Sequence, residues 1–484
     1  MNFRNTARFA GPLTAIAILG GVDISGYPHA AAMLAVTTWM AIWWISECVP
    51  LALTALIPLV FFPLLGITAG RDVAPKYVNS IIFLFLGGFL IAQAMENTGL
   101  HKRIALNMLA RLHASPLQLA IGFSVATAFL SMWISNTATT MLMVTIALPL
   151  LHRLMEEHGS EQIAPMAASF LLIIAYSANI GGMGTPVGTA PNLVFLENIR
   201  AAAPGLAPSF LEWMMIGVPM VVVGLIVLFL VLGPKLAQLP WESSNADQLQ
   251  NALLSLGPMR REERHVATVL TMTALLWMSR ESIVIEGFTI PGWSAWLPYQ
   301  GVDDGTVAIF GATLLFLLRS GEGMPVLNRA SFGRLPWEIV LLLGGGFALA
   351  FGMQDSGLSL WIGDQLGFLG GVPLVLMMLG VALAITFLTE VTSNTATTQV
   401  MLPILAATAL SNEMDLIMVL IPATLAASCA FMLPVATPPN AIVFGSNHVP
   451  MQAMVKAGIR MNLIMAFVIV ALVWFVRPML PGVI

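Results

Sequence analysis

Ser135-Asn136-Thr137-Ala138-Thr139-Thr140 and Ser393-Asn394-Thr395-Ala396-Thr397-Thr398 are identical hexapeptides, 258 positions apart in a chain of 484 residues. Each sits in the middle of an apolar stretch, the first near 117–152 and the second near 374–411. At the same offset Gly87-Gly88-Phe89 matches Gly345-Gly346-Phe347, and Gly99-Leu100 matches Gly357-Leu358. Ile81, Leu84, Ala92 and Met95 match Ile339, Leu342, Ala350 and Met353. Farther on, Thr189-Ala190-Pro191-Asn192 pairs with Thr437-Pro438-Pro439-Asn440 at an offset of 248. A chance match would not bring its neighbours along, so the two halves read as repeats of one module.

Composition sets the solvent. Apolar residues make up 58% of the chain and charged residues 9%, against roughly 25% charged in soluble domains. Such a chain cannot cover a water-facing surface, so it reads as an integral membrane protein. The net charge of −4 offers no basic tract for nucleic acid. Cys48 and Cys429 lie in apolar stretches without metal-type spacing and read as small buried side chains. No cofactor motif is present. The glycines of 181–188 lack the preceding strand that a nucleotide-binding loop needs.

Runs long enough to cross roughly 30 Å of hydrocarbon lie near 11–27, 30–46, 51–68, 79–98, 213–233, 265–284, 304–319, 336–353 and 458–477. Two more, near 163–196 and 416–445, are interrupted by Gly, Pro, Thr and Asn. The hexapeptide stretches suit re-entrant hairpins with tips buried in protein, because lipid cannot satisfy non-helical backbone. The expected fold is all-α and polytopic, with eleven spans and two hairpins. Ala30-Ala31-Ala32 loosely resembles a signal-peptidase site, but hydrophobicity continues to Ile67. Met1–Ala10 therefore reads as a short cytoplasmic lead.

Charge bias sets the orientation. With the N-terminus inside, the first hairpin entering from the cytoplasm and the second from outside, fifteen of the 20 basic residues fall inside. Only Arg71, Lys76, Arg200, Arg280 and Arg477 fall outside. The C-terminus is then outside, and the polar segment 236–264 is a cytoplasmic loop between the halves. The expected division is scaffold at 1–115 and 265–372, and transport part at 116–235 and 373–484. On this topology the repeats are inverted, and inverted repeats with discontinuous helices point to an alternating-access transporter with a site near the midplane.

The chemistry gathers at tips and breaks. Ser135, Asn136 and Thr137, with Ser393, Asn394 and Thr395, offer neutral donors to an anion or cap the helices that follow; the two roles are compatible. Each following helix turns unpaired N–H groups and its positive dipole end toward the same point. Glycines and prolines break the helix across 181–192, and Ala436-Thr437-Pro438-Pro439-Asn440 breaks its twin. Unwinding frees carbonyl oxygens, which suit a hard cation such as Na⁺, and Thr189 and Thr437 add hydroxyls.

No Arg or Lys lies in either tip or break. Two unit charges 4 Å apart interact by about 4 kcal/mol at an effective dielectric of 20. A dianion held there needs countercharge from helix N-termini and bound cations. Glu390, with Met132 at its twin position, either orients the hairpin and tunes cation affinity or is a structural acid with a hydroxyl partner. Hydrolysis by Ser135 or Ser393 would need a base within hydrogen-bond reach, and neither serine has a His or Lys beside it in sequence. A channel is the remaining alternative, but paired tips suit alternating access better.

These motifs, with Trp43-Trp44, Glu47, Pro50-Leu51 and Thr54, resemble the divalent anion–sodium symporter family, which includes dicarboxylate and citrate transporters. The resemblance implies an elevator-type homodimer in a membrane, bacterial inner membrane by expectation. It implies substrate contacts from both Ser-Asn-Thr tips, Thr189, Thr437 and Pro438. One sodium would sit with Ser131, the Ile134 carbonyl, Asn136 and the Gly188 carbonyl. A second would sit with Thr389, the Thr392 carbonyl, Asn394 and the Ala436 carbonyl. Thr189-Ala190-Pro191 departs from the Ser-Pro-Pro of several bacterial relatives. The expected work is sodium-coupled import of succinate, malate or fumarate. Sodium-independent exchange, or citrate, tartrate or sulfate carriage, stands as the alternative.

Overall fold

A polar patch inside an apolar run ends one helix and starts the next. Helix Pro116–Ser131 leads to the first hexapeptide, and helix Asn136–His158 leads away from it. The Ser135 hydroxyl caps the second helix by accepting the Ala138 N–H at 3.2 Å. Helices Leu374–Leu388 and Asn394–Ser411 form the same hairpin in the second half, with Ser393 accepting the Ala396 N–H at 3.5 Å. The computed structural model describes residues 3–111, 115–236, 244–285, 288–299 and 301–479.

Each hairpin packs on a helix that water and lipid scarcely reach. Helix Ser160–Gly182 is buried at every position from Met166 onward, and helix Leu416–Ala427 is buried throughout. Apolar residues all round a helix demand such a position. Both then break, and the chain resumes as helices Ala190–Ala202 and Pro438–Gly445, with proline in the first turn where a missing N–H costs least. The resumed helices cross over. Ala190–Ala202 packs on Asn394–Ser411 and Leu416–Ala427, while Pro438–Gly445 packs on Asn136–His158 and Ser160–Gly182.

Among the described residues six helices are long and apolar enough to cross a membrane, and six shorter apolar helices accompany them. The shorter set includes the entry arms of both hairpins and the helix before the second break. Three expectations need correction. The first helix is Phe3–Gly21, not 11–27: the expected lead is helical from Phe3 to Ala10, and the helix ends before Gly26 at φ 87 and Pro28 interrupt the chain ahead of helix Ala30–Ser46. The fold is not purely α: Ile283–Ile285 pairs antiparallel with Phe288–Ile290. The segment 236–264 is not only loop, since it contains helix Ser244–Ser255, although 237–243 lie outside the described residues. That helix packs on Leu100–Leu109. Beyond it, Arg103 donates to the carbonyls of Leu256, Gly257 and Pro258 and pairs with the buried Glu263.

Helix Trp337–Asp355 meets the second hairpin closely. The Gln399 amide reaches the Leu342 and Leu343 carbonyls at 3.4 and 3.5 Å, filling space that a side chain on Gly346 would need. At the twin position in the first hairpin Met141 is 56% exposed, beside a cavity of about 540 Å³ that Glu96 and His101 also line. The two hairpins are therefore seated unequally against their neighbours.

Helices Phe210–Leu236 and Met451–Val476 brace the breaks through glycine. A Cβ on Gly217 would fall 2.5 Å from the Met183 carbonyl oxygen, and one on Gly458 would fall 2.4 Å from that of Phe431. Overpacking of this kind costs about 1–3 kcal/mol. Gly217→Ala and Gly458→Ala are each expected to lower the melting temperature in detergent, whereas Gly205→Ala, with open space around it, leaves it unchanged. Equal melting of all three would show that the breaks do not depend on this close approach.

Candidate functional site

Each break loop is held by the side chain of an asparagine just beyond it. The Asn192 amide donates to the Gly182 and Thr185 carbonyls at 3.1 and 2.8 Å. The Asn440 amide donates to the Ala430 and Leu433 carbonyls, both at 3.0 Å. Donors and acceptors alike recur at the 248-residue offset found in the sequence. Unwound backbone at membrane depth must find such partners, so these asparagines are what allow the helices to break.

Behind each tip an oxygen cluster repeats in the same way. The Ser131 hydroxyl lies 2.6 Å from Asn136 Oδ1 and 2.8 Å from the Ala178 carbonyl oxygen. Thr389 Oγ1 lies 2.5 Å from Asn394 Oδ1 and 3.2 Å from the Ala427 carbonyl oxygen. One hydroxyl proton serves only one acceptor at a time, so in each cluster one of the two facing oxygens keeps a lone pair free of that hydroxyl. Gly182 adds room: the point where its Cβ would stand is 2.9 Å from Asn136 Oδ1 and 3.3 Å from the Gly188 carbonyl oxygen. Converging neutral oxygens with spare lone pairs suit a hard monovalent or divalent cation.

The tips and breaks share one cavity of about 1010 Å³. Ser135, Asn136, Thr137, Thr189 and Gly188 line it from the first half, with Ile134 beside them. Ser393, Asn394, Thr395, Thr437 and Pro438 line it from the second, with Thr392 and Ala436. Ser131 and Thr389 are fully buried just behind the wall. Helices starting at Asn136, Ala190, Asn394 and Pro438 all begin on this cavity, so four positive dipole ends meet there. Each tip faces the break loop of its own half, as Thr185 Oγ1 donating to the Met132 carbonyl at 2.6 Å illustrates. Beyond the loops the resumed helices belong to the opposite side.

Glu390 finds no hydroxyl partner. Oε1 accepts the N–H groups of Phe431 and Met432 at 2.7 and 2.8 Å and the Asn462 amide at 2.6 Å, while Oε2 accepts the Leu433 N–H at 3.0 Å. The carboxylate thus clamps the second break loop, and charge-assisted bonds make that clamp strong. The first half has Met132 at this place, packed beside Gly184, and fixes its loop without charge.

Sequence reasoning missed four participants. Asn179 is 2% exposed and links the halves, its amide 3.1 Å from Thr437 Oγ1, with Oδ1 left without a protein partner. A lone Asn in an otherwise apolar helix was the available signal. Asn462, fully buried two residues after Arg460, gives a weaker signal. Arg4 and Glu338 line the cavity beside Glu47, and Arg4 approaches Glu47 to 3.9 Å. Nothing in their local sequence announces this, since helices far apart in the chain bring them together.

Known proteins share this chain's sequence along nearly its full length. The family described as the sodium:sulfate symporter transmembrane region matches residues 19–480. The sodium-dependent dicarboxylate transporter SdcS of Staphylococcus saprophyticus is 39% identical over 469 residues, covering 93% of this chain and 87% of that protein. SdcS of Staphylococcus aureus strain USA300 is 39% identical over 460 residues, covering 93% and 86%. In fold alone the chain is similar to the YdaH transporter of Alcanivorax borkumensis, with a TM-score of 0.52 at 13% identity over 94% of this chain and 100% of the other. It is similar likewise to MtrF of Neisseria gonorrhoeae, with a TM-score of 0.54 at 11% identity over 84% and 83%. These relatives are transporters and not enzymes. With the paired motifs in place along the chain, this integral membrane protein belongs to the divalent anion–sodium symporter family.

Proposed function

We propose that this chain imports C4-dicarboxylates such as succinate, malate and fumarate, coupled to sodium. The observation that carries this reading is the shared cavity. Two Ser-Asn-Thr tips and four helix N-termini meet there, and an oxygen cluster stands behind each tip. Among the described lining the one basic side chain is Arg4, which lies outside the tips and breaks and beside Glu47. Helix termini supply part of the positive potential that a dianion requires, and bound sodium supplies the rest. The name of the relatives, sodium-dependent dicarboxylate transporter, supports the same pair of solutes.

One sodium is assigned to Ser131, Asn136 and the carbonyls of Ile134 and Gly188, and the other to Thr389, Asn394 and the carbonyls of Thr392 and Ala436. The substrate carboxylates take Ser135, Asn136, Thr137 and Thr189 on one side, and Ser393, Asn394, Thr395, Thr437 and Pro438 on the other. Sodium draws each asparagine and its neighbouring hydroxyl into a fixed arrangement, which lowers the ordering cost when the anion follows. Binding of cation and anion is then cooperative by linkage.

The motion is an elevator in a homodimer, with eleven spans and two re-entrant hairpins in an inverted two-fold repeat. Residues 116–235 and 373–484 move against a scaffold of 1–115 and 265–372. The N-terminus is cytoplasmic and the C-terminus external, in a bacterial inner membrane. Arg4 at the cavity supports a mouth on the cytoplasmic side on this topology, and the unequal seating of Gln399 and Met141 fits one of two end states.

In proteoliposomes, succinate uptake is expected to disappear when the Na⁺ gradient is removed. Uptake that persists unchanged would overturn sodium symport. Labelled succinate is expected to be displaced by malate and fumarate, and not by sulfate or citrate at equal concentration; stronger displacement by either of those would reassign the substrate. Asn136→Ala and Asn394→Ala should each reduce Na⁺-dependent uptake by roughly 100-fold or more, the loss expected for a group acting on both solutes, with melting temperature little changed. Near-normal uptake by either variant would remove the tips from the site.

A further inference from the structure

His152 and His448 take no part in the transport site, yet they meet across the two halves. His152 lies in the last turns of helix Asn136–His158, and His448 lies in the turn between helices Pro438–Gly445 and Met451–Val476. Their Nε2 atoms are 3.1 Å apart, with ring centroids at 5.2 Å. His152 is exposed and His448 half-buried, so solvent reaches the pair. The turn is shaped to present His448: Asn447 adopts a left-handed φ of 62°, and the His448 N–H donates to Ser446 Oγ at 3.3 Å.

Two facing imidazole nitrogens can share one proton, one donating and the other accepting. A metal ion satisfies both. Nitrogen ligands about 2.0–2.1 Å from a tetrahedral ion stand roughly 3.3 Å apart, close to the separation found. The ligand form of histidine is neutral. Burial first, and the neighbouring His152 second, hold the His448 imidazole below its ordinary range. No cluster of three or more His, Cys, Asp or Glu residues able to hold a metal occurs among the described residues, so water completes the coordination.

We propose that His152 and His448 form a two-histidine site for a borderline transition-metal ion such as Zn²⁺ or Ni²⁺, bridging the halves of the transport part. Nitrogen ligands select such ions over Na⁺, Mg²⁺ and Ca²⁺, which favour oxygen. The site is thereby distinct from the coupling-cation clusters and independent of which anion is carried. Its bridge joins the helix that starts at the first tip to the turn after the second broken helix.

The test uses tag-free, chelator-stripped full-length protein in detergent, titrated with ZnCl₂ by calorimetry and followed by thermal melting. One zinc per protomer is expected, with a rise in melting temperature. His152→Gln and His448→Gln should each weaken zinc binding by about tenfold or more and abolish the rise, while melting without zinc stays at the wild-type value. His158→Gln and His265→Gln should bind as wild type does. Absence of zinc binding in the wild type, or unchanged affinity in both site variants, overturns the proposal. His152→Gln, at an exposed position, decides the matter alone should His448→Gln fold poorly.

Discussion

Two buried asparagine side chains, Asn192 and Asn440, make the rest of the architecture possible. A break in a helix at membrane depth exposes carbonyl groups that hydrocarbon cannot solvate, at several kcal/mol per unsatisfied group. Each asparagine amide takes two of those carbonyls, three residues apart in the first part of its loop. Once the loops are held, the carbonyls that remain can point elsewhere, and two new helices can begin on the same cavity. The tips, the oxygen clusters and the convergence of helix ends all presuppose these four hydrogen bonds.

The two halves solve the same local problem with different chemistry. In the second, the Glu390 carboxylate gathers three successive N–H groups and the Asn462 amide, a charged clamp with every contact filled. In the first, Met132 packs beside Gly184, and Thr185 reaches back to the Met132 carbonyl. A charge buried beside one oxygen cluster and absent beside the other gives the two clusters unequal electrostatic surroundings. Two cations bound there would differ in affinity even with near-identical ligands.

Much of this could be read from the residues because it rests on local rules. Ser-Asn-Thr in an apolar run signals a cap and a turn, and glycine with proline signals a break. Duplication made both signals far stronger than either copy alone. What escaped depended on distant packing. Asn179 meets Thr437 only because its helix lies against the other half, and Arg4 reaches the cavity only because the first helix folds beside Glu47. The first helix ends earlier than hydrophobicity suggested, because Gly26 and Pro28 interrupt the apolar segment that composition alone would extend. The crossing of the resumed helices left no trace in sequence, since their pattern is the same whichever neighbour they choose.

That crossing bears on biosynthesis. Helix Ala190–Ala202 packs mainly on 394–427, with smaller contacts to Trp337–Asp355 and, in its own half, to Ser80–Thr98, and Pro438–Gly445 packs on 136–182. A ribosome delivering this chain into a membrane releases the first half with one helix lacking most of its partners, which emerge only with the second half. Long-range contacts of this kind slow assembly and leave unpaired surface in the interim. The first half should therefore require protection by insertion machinery until translation ends, and the halves expressed as separate polypeptides should become protease-resistant only together.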